Sequence, residues 1–336
     1  MKITAHHNWR LLPLLLASSV LTGCAGDSRL PPETLKFAVD PPASWKAGYR
    51  SVQKVSTNVS DDWLEDLQSP ELEKIVKEAL TNNHDLQVTV LKWQHAQQTA
   101  AITSTNLRPT VDGGISTKRA RSLSSADSAS TTNRHQLDIT AVWEIDLWQR
   151  LSDQQRAAVA LEEAAATDLR SARLSLAAEV AQSWFNTIES RQRTQLAERQ
   201  LESDLQALEV IEERYRNGLV DALDLHLARS EAANAEERLI SKKMEQRVLI
   251  RELEILLGRY PAAELETANA LPNISKTIPA GLPSDLLQRR PDIAASNRRL
   301  IAAGLDAEIA SKNRLPSFSL TAKGGASSLE LHNLLD

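Results

Sequence analysis

His135-Gln-Leu-Asp-Ile-Thr-Ala-Val-Trp-Glu-Ile-Asp-Leu147 alternates with a period of two. Leu137, Ile139, Ala141, Trp143, Ile145 and Leu147 share one face, and Gln136, Asp138, Thr140, Glu144 and Asp146 share the other, where Val142 alone breaks the pattern. A half-buried strand in a soluble sheet has about 5–6 residues. A strand that crosses a bilayer obliquely needs about 9–11. The length of this alternation points to a membrane strand.

The segment after the strand is equally unusual. From Trp148 to Asn217 the chain has neither Gly nor Pro. About 67 helical residues would form a rod about 100 Å long, where a globular helix averages about 11–12 residues. Leu174, Ala177, Ala181, Trp184 and Ile188 step by threes and fours like a coiled-coil seam, and the pattern resumes at Leu201, Leu205 and Leu208. Gly218 interrupts the run, and a second seam runs through Leu225, Ala228, Ala232, Ala235 and Leu239, then Leu249, Leu253 and Leu256. The expected architecture is a long antiparallel α-helical hairpin over 149–257 hung from membrane β-strands, mainly α with some β.

Composition narrows the function. The 336 residues carry a net charge of −5 and only 4% aromatics, which suits alanine-rich helix seams and offers no electrostatic case for a nucleic-acid partner. Seven His are scattered without ligand spacing, so no metal or cofactor is expected. Asp138, Glu144 and Asp146 could be taken for a carboxylate cluster, but no nucleophile, His partner or Gly-rich loop accompanies them. They read as pore-facing residues, and no enzyme is expected.

The N-terminus has the shape of a lipoprotein signal over 1–23. Lys2 and Arg10 precede the apolar run Leu11 to Leu21, too short to span as a helix, and Leu21-Thr22-Gly23-Cys24 resembles a bacterial lipobox. Cys24, the one cysteine, is then the acylated residue. The alternative is an ordinary signal peptide. Residues 24–70 read as anchor and Pro-bearing linker, with Trp45 and Trp63 packing it onto the body. Residues 71–258 form a first structural unit: a helix from Glu71 to Thr81, a second opened and capped by Asp85, strands over 111–117 and 135–147 flanking a Ser-rich loop in water, and the hairpin. The helix from Asp85 to Asn106 and that from Asp221 to Leu257 together match the long helix in length, so they can lie along it end to end.

An equatorial connection over 259–283 leads to a repeat. Asp85, Ala96, Ala100, Ser104, Asn106 and Pro109 recur at one offset as Asp292, Ala303, Ala307, Ser311, Asn313 and Pro316, and a third strand starts with Phe318, Leu320 and Ala322 on one face. Residues 284–336 are therefore the start of a second unit. It calls for a fourth strand and a second hairpin beyond Asp336, and the 336-residue product alone is expected not to conduct. At this strand count oligomerisation is implied. Trp143 and Trp148 are expected in a membrane-interface aromatic girdle, with a ligand-stacking pair as the alternative.

Several segments together resemble the outer-membrane efflux proteins of the TolC/OprM group, in their lipidated NodT-like branch. They are Leu72 to Leu86, Trp143-Glu-Ile-Asp-Leu-Trp148, Arg214-Tyr-Arg-Asn-Gly-Leu-Val-Asp-Ala-Leu-Asp-Leu225, Arg289-Arg-Pro-Asp-Ile293 and Arg314-Leu-Pro-Ser-Phe-Ser-Leu320. The resemblance implies a homotrimer in the outer membrane, with one shared barrel and a periplasmic helical tunnel. It implies export of drugs or other small toxic compounds with a periplasmic adaptor and an inner-membrane pump, and no catalytic residues. It also implies that the tip Asn217-Gly218-Leu219-Val220 docks the adaptor and that Asp224 is an acidic gate residue. For Asp224 the alternative is helix capping, by it or by Asp221. A structural coiled-coil envelope lipoprotein and a non-functional truncated channel are the alternative readings of the whole chain.

Overall fold

The computed structural model describes residues 63–123, 129–268, 270–272, 287 and 289–334. Cys24 and Trp45 lie outside them. A short 3-10 turn, Glu65–Leu67, precedes α1, Pro70–Asn82. Ser69 caps α1 by accepting from the Leu72 amide at 3.4 Å, and Pro70 stands at its first position, where an amide has no helical partner. Then come α2, His84–Thr105; β1, Thr110–Leu123; β2, Ala129–Ile145; α3, Arg150–Arg216; α4, Ala222–Leu256; α5, Pro291–Lys312; and β3, Phe318–Ser328.

The 67-residue α3 is the spine. On it α2 and α4 stack end to end, as their lengths require, and Asn83 makes the joint. Its side-chain oxygen accepts from the Leu86 amide at 2.9 Å and caps α2, while its Nδ2 donates to the Leu256 carbonyl at 3.0 Å at the end of α4. The cap is therefore Asn83 rather than Asp85, which sits inside the first turn. Asn83 has the extended backbone that a cap needs, and Asp85 is already helical. Leu72, Val76, Val180, Trp184, Ile188, Leu253 and Leu257 fill the core beneath the joint. Trp63 packs against its edge.

The seams are largely as the periodicity places them. Ala177, Ala181, Trp184, Ile188, Leu225, Ala232, Ala235 and Leu253 are buried. Leu174 and Leu205 are not; each is 49% exposed. Leu176 is buried instead, in the same core cluster as Leu72 and Leu86. Below Thr194 no residue of α3 is buried, because α4 alone covers it there.

The internal repeat is real in three dimensions. The helices α2 and α5 are each 22 residues long, and Pro291 and Lys312 stand 207 positions after His84 and Thr105. Both pack on α3. Trp93 of α2 donates its indole N–H to Glu162 at 2.9 Å, and Arg298 of α5 pairs with the adjacent Glu163 at 3.1 Å.

The three strands form one antiparallel sheet in the order β1-β2-β3. The expected strand pair 111–117 and 135–147 is corrected at both ends. The ladder continues from Thr117↔His135 through Lys118↔Arg134 to Leu123↔Ala129, so most of the expected Ser-rich loop is paired strand. Apolar alternation reports which residues face lipid, whereas main-chain pairing needs no apolar side chain, so the pairing outlasts the pattern. At the other end β2 stops at Ile145, and Asp146 and Leu147 belong to the turn into α3.

Two glycines end α3 and α4 with left-handed backbone. Gly218 has φ +70° and Gly258 φ +72°. In each case the next amide reaches back five residues, Leu219 to the Arg214 carbonyl and Arg259 to the Glu254 carbonyl. They differ in surroundings. A Cβ on Gly218 would meet open space, whereas one on Gly258 would lie 2.5 Å from the Asn82 carbonyl oxygen. Gly218→Ala should therefore cost about 1–2 kcal/mol, and Gly258→Ala distinctly more, because it also forces α1 away from α4. Thermal unfolding monitored by circular dichroism checks this: equal losses of Tm would refute the close packing at Gly258.

Candidate functional site

The sheet defines the first functional surface. Across the register, Val111, Ala141 and Ala322 share a face, as do Ile115 with Leu137, Trp143 with Leu320, and Ile145 with Phe318. This apolar face is open: Ile115 is 77% exposed and Leu320 56%. The polar face is open as well: Asp138, Thr140 and Glu144 are half-buried, but Asp112, Gln136, Ser319 and Thr321 are exposed, so nothing in the protomer covers the apolar side. A water-soluble sheet covers its apolar side. From Leu137 to Ile145 the strand runs about 27 Å at about 3.4 Å per residue. A tilt of about 40° brings this to about 21 Å of height, close to the apolar band of a membrane barrel.

The strand-to-helix turns are fixed by groups the sequence only partly discloses. Asp146 is a helix cap rather than a pore-facing carboxylate. It accepts from the Leu151 amide at 2.9 Å, the Ser152 amide at 2.8 Å and the Ser152 hydroxyl at 2.6 Å. Arg150 pairs with Glu144 at 2.5 Å. The two tryptophans hold the other two helix-to-strand turns. Trp143 donates its indole N–H to the Leu107 carbonyl at 3.2 Å, and Trp148 donates to the Pro316 carbonyl at 2.9 Å. They thus stand at one end of the sheet, beside the two equivalent entries into β1 and β3.

Asp153 is fully buried and joins Lys312 and Arg156. A charge on the seam of Ala157, Ala160 and Ala164 is the available sequence signal, since a buried carboxylate requires a cation. Lys312 supplies it from the last turn of α5, fixing the second unit against the first.

The far end of the hairpin is the second surface. Asn217 and Gly218 close α3, and Leu219 and Val220 lead to α4. Leu219 is 72% exposed, and Leu223 and Leu227 continue an open apolar row. Arg229 of α4 donates to Glu212 of α3 at 2.9 Å and braces the two helices behind the tip. Asp221 is the cap of α4, accepting from the Asp224 amide at 3.0 Å. Asp224 is therefore not the cap, and its exposed carboxylate takes no hydrogen bond or ion pair among the described residues.

The third feature, at mid-height, has no signature in the sequence. Glu254 is buried at the end of α4, and its carboxylate accepts from the amides of Ala263, Glu264 and Leu265 at 2.7, 2.9 and 3.0 Å. This folds the connection after Gly258 back onto the hairpin, next to a two-pronged pair between Arg259 and Glu78 at 2.5 and 2.7 Å. Burial pushes the Glu254 pKa up, but the three amides and the Arg259 charge outweigh it and hold the group below its ordinary value of 4.5. No group of metal-binding side chains occurs among the described residues, and no described helix is long and apolar enough to cross a membrane.

A sheet with an outward apolar face, carried on a long helical hairpin, defines a protomer of a membrane channel. Comparison with known proteins agrees. The family model described as Outer membrane efflux protein matches residues 75–259. The toluene efflux pump outer membrane protein TtgF of Pseudomonas putida is 30% identical over 96% of this chain and 69% of its own length. The pyoverdine export outer membrane protein OpmQ of Pseudomonas putida is 28% identical over 97% of this chain and 69% of its own. Among solved structures, the Campylobacter jejuni CmeC outer membrane channel superposes with a TM-score of 0.79 at 25% identity, covering 88% of this chain and 66% of that one. The chain belongs to the outer membrane efflux protein family. It is an outer-membrane channel component of an efflux system, a transport role.

Because Glu254 has a depressed folded pKa, its stabilising contribution is complete above the unfolded carboxylate pKa and is lost as pH falls through the folded value. Glu254→Gln should unfold more easily than wild type at pH 7, and the gap should shrink as the pH falls below about 4.5. Urea unfolding at pH 7 and pH 3.5 measures it; a gap of the same size at both would contradict the assignment.

Proposed function

We propose that this chain belongs to the protomer of a trimeric outer-membrane pore that exports small toxic organic compounds handed over by a periplasmic adaptor and an inner-membrane pump. The observation that carries this reading is the sheet. Its apolar face is exposed and continuous over all three strands, which suits lipid outside and a polar pore inside. A coiled-coil tether would need the helices but not that sheet. Open strand edges in hydrocarbon are costly, so β1 and β3 require further strands beside them, and the shared barrel supplies them. Trp143 and Trp148 lie at the periplasmic rim as the interface girdle, their indole N–H groups occupied by turn carbonyls. A ligand-stacking role inside the pore fits Trp143 less well, because it stands on the apolar side of the sheet beside Leu320.

In this reading Cys24 carries the lipid anchor. The tip Asn217-Gly218-Leu219-Val220 receives the adaptor, with the open row of Leu219, Leu223 and Leu227 as the apolar contact. Asp224, uncommitted among the described residues, is placed to bond across the closed end of the tunnel. Cargo of the toluene kind, named for one relative, falls within this class of compound.

Cysteine placed at Leu219 should crosslink to the adaptor in cells, and the change equivalent to Asp224→Ala, made in a reconstituted full-length relative, should raise its conductance. Crosslinks arising only from the equatorial region near Leu271 would overturn the tip assignment. Labelled palmitate should enter the wild type and not Cys24→Ser; equal incorporation would remove the anchor.

A further inference from the structure

The face that meets lipid does not end where its apolar residues end. On β1 it runs Val111, Gly113, Ile115, Thr117, Arg119, Arg121, one residue in two. The ladder puts His135, Asn133 and Thr131 of β2 beside the last three. The apolar band therefore gives way, within a short distance on the same face, to two arginines whose Cα atoms are about 7 Å apart along the strand. This end of the sheet is opposite the one that carries Trp143, Trp148 and the helices, so it lies at the outer leaflet.

These two arginines have no counter-charge among the described residues. Arg119 and Arg121 are exposed, and neither has an ion pair or side-chain hydrogen bond there. Their cross-strand neighbours are Asn133 and Thr131, not carboxylates. Some exposed arginines of this chain have acids, Arg229 with Glu212, Arg259 with Glu78, Arg290 with Asp292 and Arg299 with Asp168, while others, Arg199, Arg238 and Arg247 among them, have no ion pair among the described residues; what sets Arg119 and Arg121 apart is their place at the end of the apolar band. The opposite face at the same height holds Lys118 and Arg134 directly across from each other, so no acid lies in that register pair either.

We infer that Arg119 and Arg121 form a docking site for the phosphate groups of an anionic outer-leaflet lipid, a phosphorylated glycolipid of the lipid A kind. The inference rests on the lipid-facing assignment of the apolar side. Guanidinium is the side chain suited to phosphate, since it presents parallel N–H donors. Acyl chains packed along Ile115, Leu137 and Ile139 place such a phosphate at the height of Arg119. A phosphate dissolved in water would gain nothing from that apolar strip, which is why the lipid is the ligand. Lys118 and Arg134 face the pore and take no part.

The full chain, purified in detergent and examined by native mass spectrometry, is the test, with diphosphorylated lipid A and its dephosphorylated form as the probes. Wild type should retain the phosphorylated lipid about tenfold more strongly, Arg119→Gln/Arg121→Gln should lose that preference, and Lys118→Gln/Arg134→Gln should keep it. Millimolar inorganic phosphate should not displace the lipid. Equal retention of the two lipids by wild type would overturn the proposal even if no variant could be purified. Equal loss in both double variants would do the same, as would displacement by free phosphate. Flotation of Cys24→Ser, which carries no acyl anchor, with phosphatidylcholine vesicles separates the two readings. Floating of this variant without any phosphate preference refutes the docking site alone, and failure to float refutes the lipid-facing face and the docking site together.

Discussion

Everything in this protein is hung on one joint, the place where two short helices meet end to end against a single long one. A helix of 67 residues cannot bury a face without an equally long partner, and no other described helix approaches that length. The solution is α4 continued in space by α2, with Asn83 between them serving both. It caps one helix with its oxygen and closes the other with its nitrogen. Helix ends have unpaired amides and carbonyls, and a butt joint buries both kinds together. One amide side chain satisfies one group of each kind. The close approach at Gly258, the core of Trp184 and Leu253, and the Glu254 clasp all adjoin it.

The same logic of satisfying chain ends governs the other end of the rod. The strands must leave the membrane and become helices without stranding polar backbone. Asp146 takes the first amides of α3, Trp148 takes the Pro316 carbonyl, and Trp143 takes that of Leu107. Asp153 and Lys312 then hold the second repeat unit at the height of the first. The membrane face is thereby tied to the hairpin. That rigidity suits a conduit whose tip must stay aligned with a pore lying roughly 100 Å away, the length of a helix of this size.

Much of this is legible in residue order. The period of two in β2, the glycine-free run, the Gly218 reversal and the recurrence of Asp85 to Pro109 as Asp292 to Pro316 are all local properties, and the structure contains them all. The strand ends are not legible. Thr131 and Arg134 pair like strand residues but show no alternation, because main-chain pairing needs no apolar side chain on either face. The roles of acidic residues are the least legible. Asp146 reads as pore-facing and is a cap, and Asp85 reads as a cap and is not. A carboxylate looks the same in sequence whether it meets an amide, a cation or water.

The sequence by itself therefore determined the elements, the helix lengths, the repeat and which side of the sheet is apolar, because each is set by local periodicity or by a backbone-limiting residue. Only the tertiary structure decided the partners. It joined Glu254 to amides nine to eleven residues on, Asn83 to a carbonyl 173 residues away, and Asp153 to a lysine 159 residues away. Those contacts depend on where α4 ends against α2 and where α5 ends against α3. That placement is fixed by the summed packing of whole helices, which no local pattern records.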